Sequence, residues 1–390
     1  MISADATTLR GLHVALLSWR DTGNPEGGGA ERYLEKMALG LVERGCRVTL
    51  FCAAYPGAPS RETIDGVRYV RRGSKLSVYL QGMLLLLTRR LGPVDAVVDV
   101  QNGLPFFTRL VTRKPVVVLV HHVHREQWPV VYPGVTGRMG WWIEHWLAPR
   151  LYRSCQYVTV SQATRSELRA LGVLGPRVAV VHNGTDLRLE VPITKTEHPS
   201  ICVVGRLVPH KQVEHAIDTA LELRDRLPGL RLTVVGSGWW AHELERYAAE
   251  RDAGDLVEFT GHVDEVTKQA VYERSWLMAL PSLKEGWGLV VGEAAMHSTP
   301  TVAYRSAGGT RESIDDGISG ILVDTRAQFT AAIERVLTDP AYRAQLAEGA
   351  RTHSGQFTWE HAQASFGHVV ASAVRGTLVS SQDETEDDAG

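Results

Sequence analysis

Residues 12–53 read LHVALLSWRDTGNPEGGGAERYLEKMALGLVERGCRVTLFCA. Leu12 to Ser18 is a short apolar run, and the polar, glycine-bearing stretch from Trp19 to Gly29 reads as the loop that ends it. In the piece that follows, Ala30, Tyr33, Leu34, Met37, Leu41 and Val42 fall on one helical face, and Gly45 supplies a stop. RVTLFCA (47–53) is then a second strand. Strand, loop, helix and strand in about forty residues make a βαβ unit, which in a globular protein means a parallel sheet.

The same rhythm returns downstream. VDAVVDV (94–100) and PVVVLV (115–120) are β-branched runs bounded by Gly or Pro, and QYVTVS (156–161) follows a helical stretch. After a looser segment, Asp186 to Ser200, the pattern restarts: SICVVG (200–205) leads to a helix from about Lys211 to Arg226, and LRLTVVG (230–236) to one from about Ala241 to Arg251. WLMALP (276–281) leads to a helix near 289–297, and PTVAY (300–304) continues the series. Two consecutive open α/β units follow, with ligand sites expected at the carboxyl ends of their strands, which would face a shared central cleft. The predicted domains are 1–183, a linker at 184–199, and 200–376 with its last helix free to pack back on the first domain. Residues 377–390, rich in Ser, Asp and Glu, are expected to form a disordered acidic tail.

At 390 residues the chain suits two domains better than one core. Hydrophobic residues at 44% and charged residues at 22% exclude disordered, collagen-like and disulfide-scaffold classes for the whole. Cys46, Cys52, Cys155 and Cys202 are scattered and never form a C-x-x-C pair, which argues against a disulfide framework or zinc knuckle and fits a reducing cytoplasm. The sequence opens on MISADATTLRGLH, without an apolar core of signal-peptide length, and the apolar run Met83 to Leu87 is too short to span a bilayer. Net charge is −2, yet residues 1–183 carry +10 and residues 184–390 carry −12. The basic half, with Arg71, Arg72, Lys75, Arg89 and Arg90 beside Met83 to Leu87, would suit the inner face of an anionic membrane as a peripheral partner. Solvated charges, or charges facing the acidic half, explain it equally well, and no nucleic-acid recognition motif accompanies it. Trp141, Trp142 and Trp146 recur near helical spacing with Leu147 and Leu151, a stripe that reads as core.

Three places carry chemistry. Gly27, Gly28 and Gly29 precede a helix N-terminus, where backbone amides favour an anion. Gly205 to Lys211, GRLVPHK, follows a strand and opens a helix, so Arg206 and Lys211 outline a diphosphate clamp: a bidentate guanidinium and a point charge. In PSLKEGWGLVVGEAAMHS, Glu285 is placed in a loop with Gly286 and Gly288, and Glu293 on the helix beyond, two carboxylates suited to sugar hydroxyls.

Taken in order, GGG-AE, VHNGTD, GRLVPHK, VVGSG, FTGHV, E-x(7)-E and AGGTRESI span Leu12 to Val323 and resemble the retaining GT-B glycosyltransferases of family four. That group includes phosphatidylinositol mannosyltransferase and sucrose-phosphate synthase. The resemblance implies two Rossmann-like domains and transfer of a hexose, mannose or glucose, from a nucleotide diphosphate sugar to an acceptor hydroxyl on a carbohydrate or lipid-linked acceptor. It implies that Arg206 and Lys211 bind the diphosphate and Glu293 the ribose. Glu285 would face the hexose, with the backbone of Gly286, Trp287 and Gly288, and His121 would sit beside the transferred sugar. Gly28 and Gly29 would approach donor phosphate or acceptor. No cofactor or metal is implied, because cationic side chains can neutralise the leaving diphosphate. His121 is followed by His122 and His124, which leaves open which histidine takes that role and invites a metal reading as well. The rival functions are a sugar-nucleotide epimerase or hydrolase, and a non-catalytic nucleotide-sugar-binding protein.

Overall fold

A computed structural model describes residues 8–186, 188 and 193–381, and residues 382–390 of the expected acidic tail lie outside the described residues. The chain divides after Asn183 and again after Thr358 into two compact units.

The first unit is an eight-stranded sheet in the order β3-β4-β2-β1-β5-β6-β7-β8. Its strands are β1 (His13–Leu17), β2 (Arg47–Cys52), β3 (Arg61–Ile64), β4 (Val67–Arg71), β5 (Ala96–Val100), β6 (Val116–Val120), β7 (Gln156–Thr159) and β8 (Val178–Val180). All pair in parallel except β3, which folds back on β4. Asp65 and Gly66 alone join that hairpin, both at positive φ, as a two-residue turn demands. Strands β1, β5 and β6 are buried on both faces, which is why they read as largely apolar runs; the exceptions, His13 and Asp99, are buried and hydrogen-bonded. Helices α1 (Gly29–Glu43), α2 (Ser77–Leu87), α3 (Val135–Trp142) and α4 (Gln162–Ala170) cover the sheet. A π-helical turn, Ile143–Leu147, continues α3. Ala15, Phe51, Val78, Leu85, Val118 and Tyr152 belong to one core beneath α2 and this second helical stretch.

The second unit is a six-stranded sheet, wholly parallel, in the order β11-β10-β9-β12-β13-β14. The strands are β9 (Ser200–Val204), β10 (Arg231–Val235), β11 (Val257–Gly261), β12 (Leu277–Leu280), β13 (Thr301–Tyr304) and β14 (Gly320–Val323). Helices α5 (Val213–Leu223), α6 (Ala241–Ala249), α7 (Glu265–Arg274), α8 (Leu289–Met296), α9 (Arg326–Thr338) and α10 (Pro340–Ser354) alternate with them. Winding outward in both directions from β9 puts the topological switch between β9 and β12.

The last helix, α11 (Trp359–Arg375), groups with the first unit, as the sequence reading allowed, and the second unit ends at Thr358. Packing explains the return: a Cβ on Gly40 of α1 would lie 2.5 Å from Gln363, so only glycine lets α11 approach there, and Gln363 donates to Lys36 O at 2.9 Å. The described part of 184–199 is not a free linker but groups with the second unit. Thr185 N donates to Phe357 O, and the half-buried Lys195 Nζ donates to Ser275 O, His297 O and Thr299 Oγ1 at 2.6–3.0 Å. Desolvation lowers the Lys195 ammonium to about 8.

Five of the strands escape the sequence reading, β3, β4, β8, β11 and β14, none longer than five residues. Among the described residues no helix is long and apolar enough to cross a membrane. All four cysteines are free and buried.

Candidate active site

In the second unit the loop after β9 carries Arg206 and Lys211. Gly205 N donates to Val235 O at 3.0 Å and Leu207 N to Ser237 O at 2.9 Å, so the loop after β10 holds the loop after β9 along its length. Such closeness requires glycine: a Cβ on Gly236, which sits at φ +132°, would fall 1.9 Å from Gly205 O. Pro209–Lys211 forms one 3-10 turn and Gln212 is left-handed, so α5 starts at Val213 rather than Lys211. Lys211 is thus outside the helix, on the turn that leads into it.

Across the switch point, β12 ends in Pro281 and Ser282. A small hollow there is lined by Gly205, Arg206, Leu207, Lys211, Pro281 and Ser282. Lys211 Nζ donates to Glu285 Oε1 at 2.5 Å, and Ser282 Oγ donates to the same oxygen at 2.7 Å. Leu283 N donates to His210 O at 2.8 Å, fastening the two loops to each other. Glu285 is itself fixed by its backbone, N to Ala307 O at 2.7 Å and O from Gly309 N at 3.1 Å. A Cβ on Gly309 would lie 2.0 Å from Gly286 O, so the AGGT and EGWG loops interlock only because this position has no side chain. Trp287 turns its ring into the unit, 4.8 Å from Phe357, and only its backbone remains for a ligand. Gly288 is the N-cap of α8 and provides no side-chain cap. Glu293, further along α8, accepts from Tyr272 Oη at 2.9 Å and pairs with Lys268 Nζ at 3.0 Å. The structure therefore brings Arg206, Lys211 and Glu285 to one strand edge, while the Glu293 carboxylate is held by α7.

In the first unit His121 follows β6. It is 5% exposed, its ring meets Tyr33 edge-on at 5.3 Å, and its Nε2 has no hydrogen-bond partner within the protein. Burial above all, with the charges of His124 and Arg20 adding to it, pushes its pKa down to about 3, so the ring is neutral near pH 7. Gln101, following the neighbouring strand β5, is also buried with Oε1 unpartnered. Two such atoms at adjacent strand ends are what a hydroxyl-bearing ligand would satisfy. His122 and His124 lie elsewhere in character: their rings meet at a tilt, 4.2 Å apart, and hydrogen bonds join His122 to Gln127 and His124 Nδ1 to Glu144 Oε1 at 3.0 Å. Among the described residues no three His, Cys, Asp or Glu side chains converge as a metal would need.

The glycine loop differs from its sequence expectation. Gly28 N donates to Glu31 Oε2 at 2.8 Å, so that amide already holds a carboxylate of its own helix. Glu31 is buried, and its other oxygen pairs with Arg20 Nε at 2.8 Å. Gly27 is the position that needs glycine, since a Cβ there would meet three carbonyl oxygens within 3.0 Å; at Gly28 the nearest atom would be 3.8 Å away. Gly29 opens α1 as its first residue. Ser282, Gln101 and Arg20 were not singled out by the sequence, Tyr33 was read only as part of a helix face, and Glu31 entered only through GGG-AE, although a Glu three residues after Gly28 is a legible capping signal.

Two family models tile the chain. "Glycosyltransferase Family 4" matches residues 27–189, and "Glycosyl transferases group 1" matches residues 189–353. The chain belongs to glycosyltransferase family 4. This family 4 chain is 30% identical to glycogen synthase of Mycobacterium tuberculosis over 271 residues, covering 67% of its own length and 64% of that protein. It is 36% identical to D-inositol 3-phosphate glycosyltransferase of Salinispora arenicola over 186 residues, 45% of its length and 41% of the relative's. The match thus spans just under two thirds of the first relative and about two fifths of the second. Sucrose-phosphate synthase of Thermosynechococcus elongatus shares the fold at TM-score 0.76 and 20% identity, covering 92% of this family 4 chain and 98% of that one. Two parallel-sheet α/β units in this order are the GT-B fold.

Proposed function

We propose that this protein is a retaining hexosyltransferase whose donor is a nucleotide diphosphate sugar and whose acceptor is a hydroxyl of a carbohydrate or lipid-linked molecule. The observation that carries this reading is the Lys211–Glu285–Ser282 cluster sharing a strand edge with Arg206. A cation pair beside a fixed carboxylate matches a diphosphate joined to a polyhydroxylated ring, which offers anionic oxygens at one end and hydroxyl donors at the other.

In the proposed step the bond between the anomeric carbon and the diphosphate oxygen breaks. Arg206 and Lys211 stabilise the charge growing on that oxygen, where electrostatic help lowers the barrier most. The acceptor oxygen bonds to the same face of the anomeric carbon, and its proton passes to the departing phosphate oxygen. Glu285 accepts from the hexose hydroxyls, and the backbone of Gly286 to Gly288 lies beside it. Glu293 would exchange its Tyr272 or Lys268 contact for the ribose hydroxyls. In the first unit the neutral His121 ring and Gln101 offer one unpartnered nitrogen and one unpartnered oxygen to a sugar. Neither metal nor cofactor is needed, because two cations already oppose the diphosphate.

The test incubates the protein with UDP-, GDP- and ADP-hexoses, each with and without glycoside acceptors, and reads products by proton NMR. A new glycoside with the donor's anomeric configuration supports the proposal. Inverted product overturns the retaining step; free hexose or an epimerised donor without glycoside replaces transfer by the rival enzyme reading.

A further inference from the structure

The face of the first unit covered by α2 and by the α3 stretch is unusually apolar outward as well as inward. Along α2 and the residue before it, Leu76, Leu80, Leu84 and Leu87 are 48–77% exposed at spacings of four, four and three, one continuous stripe. The run Met83 to Leu87 is therefore split, with Leu85 and Leu86 packed in the core and Leu84 and Leu87 outside. Along α3 and its π turn, Val135, Met139, Trp142 and Trp146 are 40–69% exposed at spacings of four, three and four. Only Trp141 of the three tryptophans packs on the core, which corrects the reading of that stripe as interior. The rings of Trp142 and Trp146 stack at 5.2 Å, and the Arg150 guanidinium lies 4.3 Å over Trp146. Both stretches pack on the same core cluster, so they cover the same side of the sheet.

The charge around them is lopsided. Residues 72–154 hold eleven Lys and Arg against four acids, and two of those acids, Asp99 and Glu144, are buried. Arg72, Arg89, Arg90, Arg138, Arg150 and Arg153 are exposed. Arg71, expected among them, is buried between Asp21 and Glu62 and contributes nothing to this surface.

We infer that this face docks on an anionic lipid bilayer, lying in the interface without crossing it. Exposed leucines need an apolar medium, indole rings settle at the headgroup level, and arginines alongside attract anionic headgroups. A nucleic acid would satisfy the arginines and leave two leucine and tryptophan stripes in water, so the bilayer is the occupant that uses both features. This inference concerns where the protein works and stands apart from the transfer reaction.

Flotation of the full chain with vesicles tests it. Phosphatidylcholine vesicles should bind little; vesicles also containing phosphatidylglycerol should bind at low salt and release at high salt, as screening shortens the reach of the charges. Arg89→Gln with Arg90→Gln should weaken that partitioning about 25-fold, roughly fivefold per arginine. Brominated lipid should quench the tryptophan emission of bound protein, and Trp142→Ser with Trp146→Ser should remove most of that quenching at an unchanged melting temperature. Should the tryptophan variant melt early, the arginine pair, which is exposed, decides alone. Absence of wild-type binding to anionic vesicles, or binding that neither pair alters, overturns the inference; the latter outcome, or binding only to nucleic acid or an acidic protein, assigns the basic charge to a different partner.

Discussion

Replacing Lys211 with Met strands a carboxylate. In the folded protein Glu285 is 9% exposed and has Lys211 and Ser282 as its side-chain partners, so Lys211→Met leaves one neutral hydroxyl to support a mostly buried charge. A hydrogen bond to a charged group contributes about 1.5–3 kcal/mol, and partial exposure of the lysine puts this pair toward the lower end. Glu285→Gln removes the charge from the other side, and the double variant loses the ionic part of the bond only once. Each single change should therefore destabilise the second unit by about 1–2 kcal/mol, and the double change by little more than the worse single, a coupling of about 1 kcal/mol. At roughly 2–4 °C per kcal/mol for a unit of this size, thermal unfolding of the four proteins resolves it. Ligand binding separates the roles: Lys211→Met should lower bare-nucleotide affinity about tenfold or more, whereas Glu285→Gln should leave it nearly intact and depress transfer. Stability effects additive within about 0.3–0.5 kcal/mol would refute the linked pair.

Three further outcomes follow from the same geometry. Because burial lowers His121 from an unfolded value near 6.5 to about 3, the unfolded chain binds more protons between those limits; its contribution makes stability fall by about 1.4 kcal/mol per pH unit below roughly pH 6, and His121→Gln should flatten the fall in melting temperature between pH 6.5 and 5. Gly309→Ala, whose Cβ would lie 2.0 Å from Gly286 O, should cost about 1–3 kcal/mol in denaturation and more in transfer than in nucleotide binding, since it displaces the Glu285 loop. Activity should survive EDTA; loss restored by added zinc or magnesium would mean that Arg206 and Lys211 do not suffice.

The central parallel strands of both units were legible because strands buried on two faces are almost wholly apolar, as in Val116–Val120 and Ser200–Val204. The restart after Ser200 was legible for the same reason. Edge strands were not: Arg61–Ile64 is almost wholly exposed and polar, and only its Asp65-Gly66 turn signals a hairpin. Helix α11 could be read as a helix, but its partner is set by Gly40 and Gln363, more than three hundred residues apart. In the site, residue types gave Arg206, Lys211 and Glu285, whereas Ser282 and Gln101 needed coordinates, because a serine or glutamine is informative only once its neighbours are known. The tryptophans show the limit of periodicity: helical spacing identified a stripe without saying which side faced water. Gly28 shows another, since a glycine loop before a helix looks open to anions until the Glu31 carboxylate is seen to occupy its amide.

In the proposed reaction Arg206 and Lys211 hold the diphosphate of a sugar nucleotide. Calorimetric titration of the wild type, Arg206→Ala and Lys211→Ala with UDP, GDP and ADP tests it most directly. The account predicts that one nucleotide binds the wild type selectively and that each variant loses about tenfold to a hundredfold in affinity for it; a nucleotide bound equally by all three proteins, or none bound by the wild type, would contradict it.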